Sequence, residues 1–343
     1  MNRSTKQLIL AAGMTTALIL SGCGTSSGGS SSAGKVHLNI MVGGLSKQIY
    51  LPNMLAKQLG YFDANGLDVT LIDEASGQSS EDEVLAGQVD AGSGSYNHTI
   101  ELQAAGKAME CVVQLDIAPG EAEVVSAKEA ATLTTPASLA GKNLGVTELG
   151  SGTQTLTEAI LNKAGVNPTN AHYIPVGAGD TFIAAMQQGR IDAGMTTEPT
   201  ISRLVSSGVG KVLVDLRTPQ STQAALGGNY PFICVFMKND YVNSHHDTVQ
   251  KLVNAYVETL KWINSHSAAD IAAKMPADYY AGNQTLYVTA LQNQKAIFSP
   301  DGLMPSDGPA TVLGIEQQIG KVKAGQNIDL SQTYTNSFAS AAS

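Results

Sequence analysis

The hexapeptide Gly87-Gln88-Val89-Asp90-Ala91-Gly92 recurs 102 residues on, as Gly189-Arg190-Ile191-Asp192-Ala193-Gly194. Both copies read Gly, any residue, β-branched, Asp, Ala, Gly. The register also holds upstream, where Ser76-Gly77-Gln78 falls opposite Ala178-Gly179-Asp180. Val69, Leu71 and Ile72 likewise fall opposite Ala171, Tyr173 and Ile174. A strand–loop–helix–turn–strand unit used twice predicts two similar α/β lobes with a cleft between them. At 343 residues the chain is long enough for two such lobes.

Composition narrows the partners. Apolar residues make up 43% and charged residues 14%, which suits packed cores rather than disorder. The formal charge is −9, and the sequence pI of about 5.1 argues against nucleic acid or an anionic membrane surface as a partner. Three cysteines are too few for a disulfide framework.

Residues 1–22 read as an address. Arg3 and Lys6 precede an apolar run from Leu8 to Leu20, broken only by Gly13, Thr15 and Thr16. That run has the length of a secretory core and is too short for a comfortable membrane span. The run ends Leu20-Ser21-Gly22-Cys23, which resembles the lipobox of bacterial lipoproteins. The resemblance implies cleavage before Cys23 and a lipid on its thiol. Gly24 to Gly34 contains only Gly, Ser, Thr and Ala, a flexible tether that cannot bury a core. The body is therefore expected outside the cytoplasm, held to a membrane by residues 23–35.

Strands are expected over Val36–Val42, Asp68–Ile72, Val89–Gly92 and Met109–Leu115, and helices over Lys47–Leu59, Glu81–Ala86 and Tyr96–Ala105. Ser76–Ser80 reads as a loop, and Tyr61–Leu67 as a turn-rich connector. Ala118-Pro119-Gly120 breaks the pattern and marks a crossing to the second lobe. There, strands at Glu123–Ser126, Asn143–Thr147 and Val212–Asp215 accompany a helix ending at Lys163. Polar Thr218–Gly228 marks the crossing back, followed by a strand at Pro231–Met237. Val249, Leu252, Val253, Tyr256, Leu260 and Ile263 define one face of a helix over Thr248–Asn264. Helices continue to about Lys323, and the tail from Asn327 is expected to pack loosely. This order predicts parallel strands. The first lobe is residues 36–118 and 229–343, and the second is 119–228 with the hinge segments.

Several of these stretches are similar to one family. They are Gly60-Tyr61-Phe62 with Gly66-Leu67-Asp68-Val69, Gly87–Gly92, Leu139-Ala140-Gly141-Lys142-Asn143-Leu144-Gly145-Val146, Ser151-Gly152-Thr153 and Glu198-Pro199. Together they resemble the nitrate/sulfonate/taurine and thiamine-precursor-binding group of ABC importer substrate-binding proteins, over about residues 36–265. The resemblance implies a type II periplasmic-binding fold, hinge closure on a small solute, and delivery to a permease and ATPase. Thr197 departs from the aromatic residue common before the Glu-Pro pair, so no particular ligand carries over. The Cys-rich motif of the family's precursor-synthesising eukaryotic branch is absent.

Ligands in open α/β sheets bind beyond the carboxyl ends of the strands. Those loops hold Ser46, Ser76, Gln78, Ser79, Ser95, Tyr96, Ser151, Gly152, Thr153, Asp180, Thr197 and Glu198, the candidate ligand-binding set. Their glycines admit close approach, and their hydroxyls both donate and accept. Plainer roles compete: Ser76, Ser79, Ser151 and Thr153 as helix caps, Tyr96 as core, Glu198 as a hinge brace. Asp90 and Asp192 read as structural acids that bond backbone. Lys47 is the main basic residue among Asp73, Glu74, Glu148, Asp180 and Glu198. That balance favours a neutral, zwitterionic or cationic solute over a bare dianion. Gly-x-Ser-x-Gly occurs once, as Gly24-Thr25-Ser26-Ser27-Gly28 in the low-complexity tether rather than in a strand–turn–helix elbow, and His-x-x-x-His and Cys-x-x-Cys spacings are absent, so no enzyme, metal or cofactor is expected. A monomeric transport receptor is the leading reading, a sensor uncoupled from transport the alternative, and an extracytoplasmic enzyme on the same fold a more remote one. Cys111 and Cys234 are expected in neighbouring strands, as buried thiols or as a disulfide.

Overall fold

A computed structural model describes residues 34–342. The expected leader, Cys23 and most of the tether lie outside the described residues. The first lobe runs β1 (Val36–Val42), α1 (Leu51–Gln58), α2 (Tyr61–Ala64), β2 (Leu67–Asp73), α3 (Gly77–Ala86), β3 (Ala91–Ser95), α4 (Asn97–Ala104) and β4 (Met109–Gln114). The second runs β5 (Glu121–Ser126), β6 (Asn143–Val146), α5 (Gly152–Lys163), β7 (His172–Pro175), α6 (Asp180–Gln187), β8 (Ala193–Thr197), α7 (Thr200–Ser206) and β9 (Gly210–Leu216). The chain returns through α8 (Pro219–Leu226), β10 (Ile233–Lys238), α9 (Asn239–Ser244) and α10 (His246–Ser265). It ends in α11 (Ala268–Ala272), α12 (Gln284–Gln294), α13 (Gly308–Gln318) and α14 (Ser337–Ala341).

Two five-stranded sheets result, in the orders β2-β1-β3-β10-β4 and β7-β6-β8-β5-β9. They are mixed rather than parallel throughout. β1 is parallel to β2 and β3, and β6 to β7 and β8, as βαβ units require. β10 enters the first sheet antiparallel to β3 and β4, and β5 enters the second antiparallel to β8 and β9. Each lobe thus contains one strand that arrives from a crossing rather than from a βαβ unit.

The repeated hexapeptide does the same work in both lobes. Gly87 and Gly189 adopt left-handed φ of 75° and 71° and end α3 and α6, a conformation that costs a side chain energy. Val89 and Ile191 are buried below. Asp90 Oδ2 accepts from Asn39 N at 2.8 Å, and Asp192 Oδ2 accepts from Asn143 N at 2.9 Å, so each acid ties its turn to the neighbouring strand. Gly92 lies under the Phe236 ring and Gly194 under Phe182, where an added Cβ would come within 2.3 and 2.8 Å of the ring carbons.

Five expectations need correction. α3 starts at Gly77, because Ser76 caps it by accepting from Ser79 N; the polar run to Ser80 is already helix. The third strand is shifted to Ala91–Ser95, since Val89 and Asp90 belong to the turn. Tyr61–Ala64 forms a short helix around buried Phe62. The polar crossing forms α8, started by the Thr218–Ser221 capping box with Pro219 at its first position. The tail packs closely: Cys111 N donates to Thr333 O and Thr335 N to Cys111 O, while buried Phe338 places α14 on α10. All six residues read as the apolar face of α10 are fully buried. Cys111 and Cys234 are buried free thiols, not a disulfide. Among the described residues no helix is long and apolar enough to cross a membrane.

Candidate functional site

The carboxyl ends of the parallel strands of the two sheets face one another across the cleft. From the first lobe come the loops after β1, β2 and β3, and from the second those after β6, β7 and β8. They enclose an inner chamber of about 20 Å³ and a wider mouth of about 430 Å³. The chamber holds about one water-sized sphere, whereas the mouth falls within the ordinary range of small-ligand pockets. Lys47 borders both.

The chamber is walled on one side by Lys47, Tyr50, Ser76, Ser95 and Phe232, and on the other by Glu121, Thr147, Ser151, Gly152 and Thr153. Its hydroxyls are largely committed to the protein. Ser151 Oγ donates to Glu148 O at 2.6 Å and lies 2.7 Å from Thr153 Oγ1, which accepts from Thr147 N at 2.9 Å. Lys47 Nζ donates to Gly43 O and Ala75 O, each at 2.7 Å. Burial pulls its pKa down to about 8 against the opposing pull of Glu121, Asp73 and Glu148. Glu121 opens β5, opposite Thr197 of β8. Burial pushes its carboxyl up to about 8, and Lys47 partly offsets the rise.

The lobes meet directly around this chamber. Ser76 Oγ at the cap of α3 and Ser79 Oγ within it both donate to Glu148 Oε2 of the second lobe, Ser79 at 2.8 Å. Gln48 N donates to Glu198 O at 3.0 Å. Gly152 fits against Ser95 and Phe232 so closely that an added Cβ would lie 2.7 Å from each. The C-terminal helices bridge the lobes as well: Lys321 Nζ donates to Thr155 Oγ1 at 2.5 Å and sits 3.5 Å from Glu101. The lobes are therefore in a closed arrangement.

The expected residues divide by position. Ser76, Ser95, Ser151, Gly152 and Thr153 line the chamber, while Ser46 and Asp180 line the mouth. Gln78 and Ser79 lie on the seam, Gln78 beside Gly150 and Ser79 on Glu148. Thr197 is buried in β8 with its hydroxyl 3.5 Å from Gly120 O. Two expectations fail on geometry. Tyr96 is fully buried and turned away from the cleft, its hydroxyl 2.6 Å from Thr333 Oγ1 and its ring edge-on to Tyr334. Its aromatic surface is consumed by the tail. Glu198 is fully buried, and its carboxylate accepts from Arg217 at 2.8 Å and from Ser202 N and Oγ at 2.9 and 3.0 Å. It braces α7, and its carbonyl is taken by Gln48 N of the first lobe. Reading the loops alone missed Glu121, Tyr50 and Phe232. The legible sign of Glu121 was an acid beginning the apolar, alternating stretch Glu121-Ala122-Glu123-Val124-Val125. Among the described residues no group of three or more His, Cys, Asp or Glu is placed to hold a metal ion.

A model of the NMT1/THI5-like family matches residues 49–269. The chain belongs to this family. A solved protein of Bordetella bronchiseptica RB50 is 34% identical and superposes with a TM-score of 0.85, over 90% of this chain and 96% of that one. The periplasmic nitrate-binding protein NrtA from Synechocystis PCC 6803 is 14% identical with a TM-score of 0.72, over 90% and 88% of the two chains. The periplasmic aliphatic sulphonate-binding protein SsuA from Escherichia coli is 18% identical with a TM-score of 0.65, over 88% and 99%. At the two lower identities the likeness shows the fold, a two-lobe periplasmic-binding-protein architecture.

Proposed function

We propose that this chain is the solute-binding component of an ABC import system, capturing a small solute by closure of its two lobes. The observation that carries the reading is a chamber whose walls come from both lobes. Contacts from both walls exist only when the lobes are closed, so a solute that makes them shifts the population toward closure. Family membership and the fold shared with nitrate- and sulphonate-binding proteins support the same reading. The residues we assign to the solute are Ser76, Ser95, Ser151, Gly152 and Thr153 in the chamber and Ser46 and Asp180 at the mouth. Gln78 and Ser79 act by joining the lobes.

The reading extends to the chain's address. Signal cleavage and lipid on Cys23 would hold the receptor to the outer side of a membrane, with residues 24–35 as tether. Cys23→Ser is expected to move the protein from the membrane fraction to the soluble one, and membrane retention of that variant would contradict the anchor. For solute capture the test is a melting-point screen across sulfonates, nitrate, amines, pyrimidines and flavins. A solute at 100- to 1,000-fold excess over its dissociation constant stabilises by about 3–4 kcal/mol. A screen in which no solute moves the melting point would contradict a receptor function.

A further inference from the structure

One acid in the cleft wall keeps a carboxyl oxygen that the fold does not satisfy. Glu121 is only 2% exposed, lines the chamber, and its Oε2 has no hydrogen-bond partner among the described residues. A buried acceptor left unmet is costly, and such groups in native structures call for an explanation. Three donors that line the chamber are directed to other acceptors, Lys47 keeping one of its three hydrogens uncommitted. Lys47 Nζ donates to two backbone carbonyls, Ser76 Oγ to Glu148, and Ser151 Oγ to Glu148 O. Asp116, fully buried at the first crossing, also has both carboxyl oxygens unpartnered. It acts electrostatically on Tyr50, another wall of the chamber.

The mouth has the same sign. Asp73, Glu74, Asp180 and Asp278 line it against Lys47 and Arg203, and Arg203 is paired with Asp180. A plain anion entering here meets three unneutralised carboxylates and one ammonium. At the end of the path lies Glu121, a carboxyl that burial keeps largely protonated until a cation arrives to hold it ionised.

We propose that Glu121 selects the solute by accepting a hydrogen bond from a cationic nitrogen, that of an amine, amidine or guanidine, whose remainder lies in the acidic mouth. This rests on the receptor reading above and adds to it the chemical class of the solute. The cation supplies the donor that Glu121 Oε2 lacks and holds the carboxyl ionised, a charge-assisted bond of the stronger kind. Lys47 opposes it: its ammonium repels a second cation, and removing that charge strengthens capture.

Calorimetry and melting curves on the full chain test this with 1,4-diaminobutane and 4-guanidinobutylamine against ethanesulfonate, butyrate and nitrate. The two amines are expected to bind and the three anions not to. Glu121→Gln, which keeps the shape and removes the charge, is expected to weaken the amines by on the order of tenfold or more. Lys47→Met is expected to tighten them, an effect opposite to that of general damage, which keeps the test sound if the first variant folds poorly. Binding of an anion but neither amine overturns the proposal and leaves the receptor reading standing. Amine binding that Glu121→Gln leaves unchanged, or that Lys47→Met weakens, also overturns it. If neither amine binds the proposal falls, and only a wider panel that is silent too removes the receptor reading with it.

Discussion

Asp90 and Asp192 are matched acids at the mouths of matched turns, and each bonds a backbone N–H of the adjacent parallel strand. Losing such a bond to a half-buried carboxylate costs about 1–3 kcal/mol. Asp90→Ala and Asp192→Ala are therefore expected to lower stability by that order in urea unfolding while leaving solute affinity unchanged. A large loss of affinity without loss of stability would contradict the structural role. The structural role of these two acids was legible in the sequence, because an acid between a helix-ending glycine and a short strand has backbone donors close by. Glu198 and Tyr96 were not legible to the same degree. Their partners, Arg217 and Ser202 for one, Thr333 and Tyr334 for the other, come from elements whose placement the local pattern does not contain. Glu121 was missed for the same reason: it is a site residue only because β5 begins where the chain crosses between lobes.

At the level of elements, periodicity located most strands and the long helix α10, whose six apolar positions all face the core. It misplaced the start of α3 and the packing of the tail, since polar residues fill both. In α3 the polar residues cap the helix and join the lobes through Ser76 and Ser79, and in the tail they cover the outer edge of β4. The helix start that matters most is that of α5. Gly152 lets it approach Ser95 and Phe232 of the first lobe with no room for a methyl group. Gly152→Ala is expected to hold the lobes apart and weaken solute affinity by on the order of tenfold, roughly the effect of 1.4 kcal/mol. The midpoint of unfolding without solute should change less, because the clash with Ser95 and Phe232 is relieved when the lobes part. Unaltered affinity in that variant would show that closure does not need the Gly152 contact.

For the whole molecule, the internal repeat anticipated two lobes and a cleft, and the two sheets show them. The antiparallel strand in each sheet was not anticipated, because a crossing strand leaves no helix–strand rhythm. Two crossings and the C-terminal helices connect the lobes, so opening must loosen the bonds from Ser76 and Ser79 to Glu148, from Gln48 to Glu198, and from Lys321 to Thr155. A closed state held in part by such bonds suits a population shifted by ligand. The direct test is small-angle X-ray scattering of the chain with and without the solute that raises its melting point most. Closure on the solute predicts a smaller radius of gyration with solute present, and no such contraction in Gly152→Ala. Saturating solute that leaves the scattering of the unaltered chain unchanged would contradict capture by lobe closure.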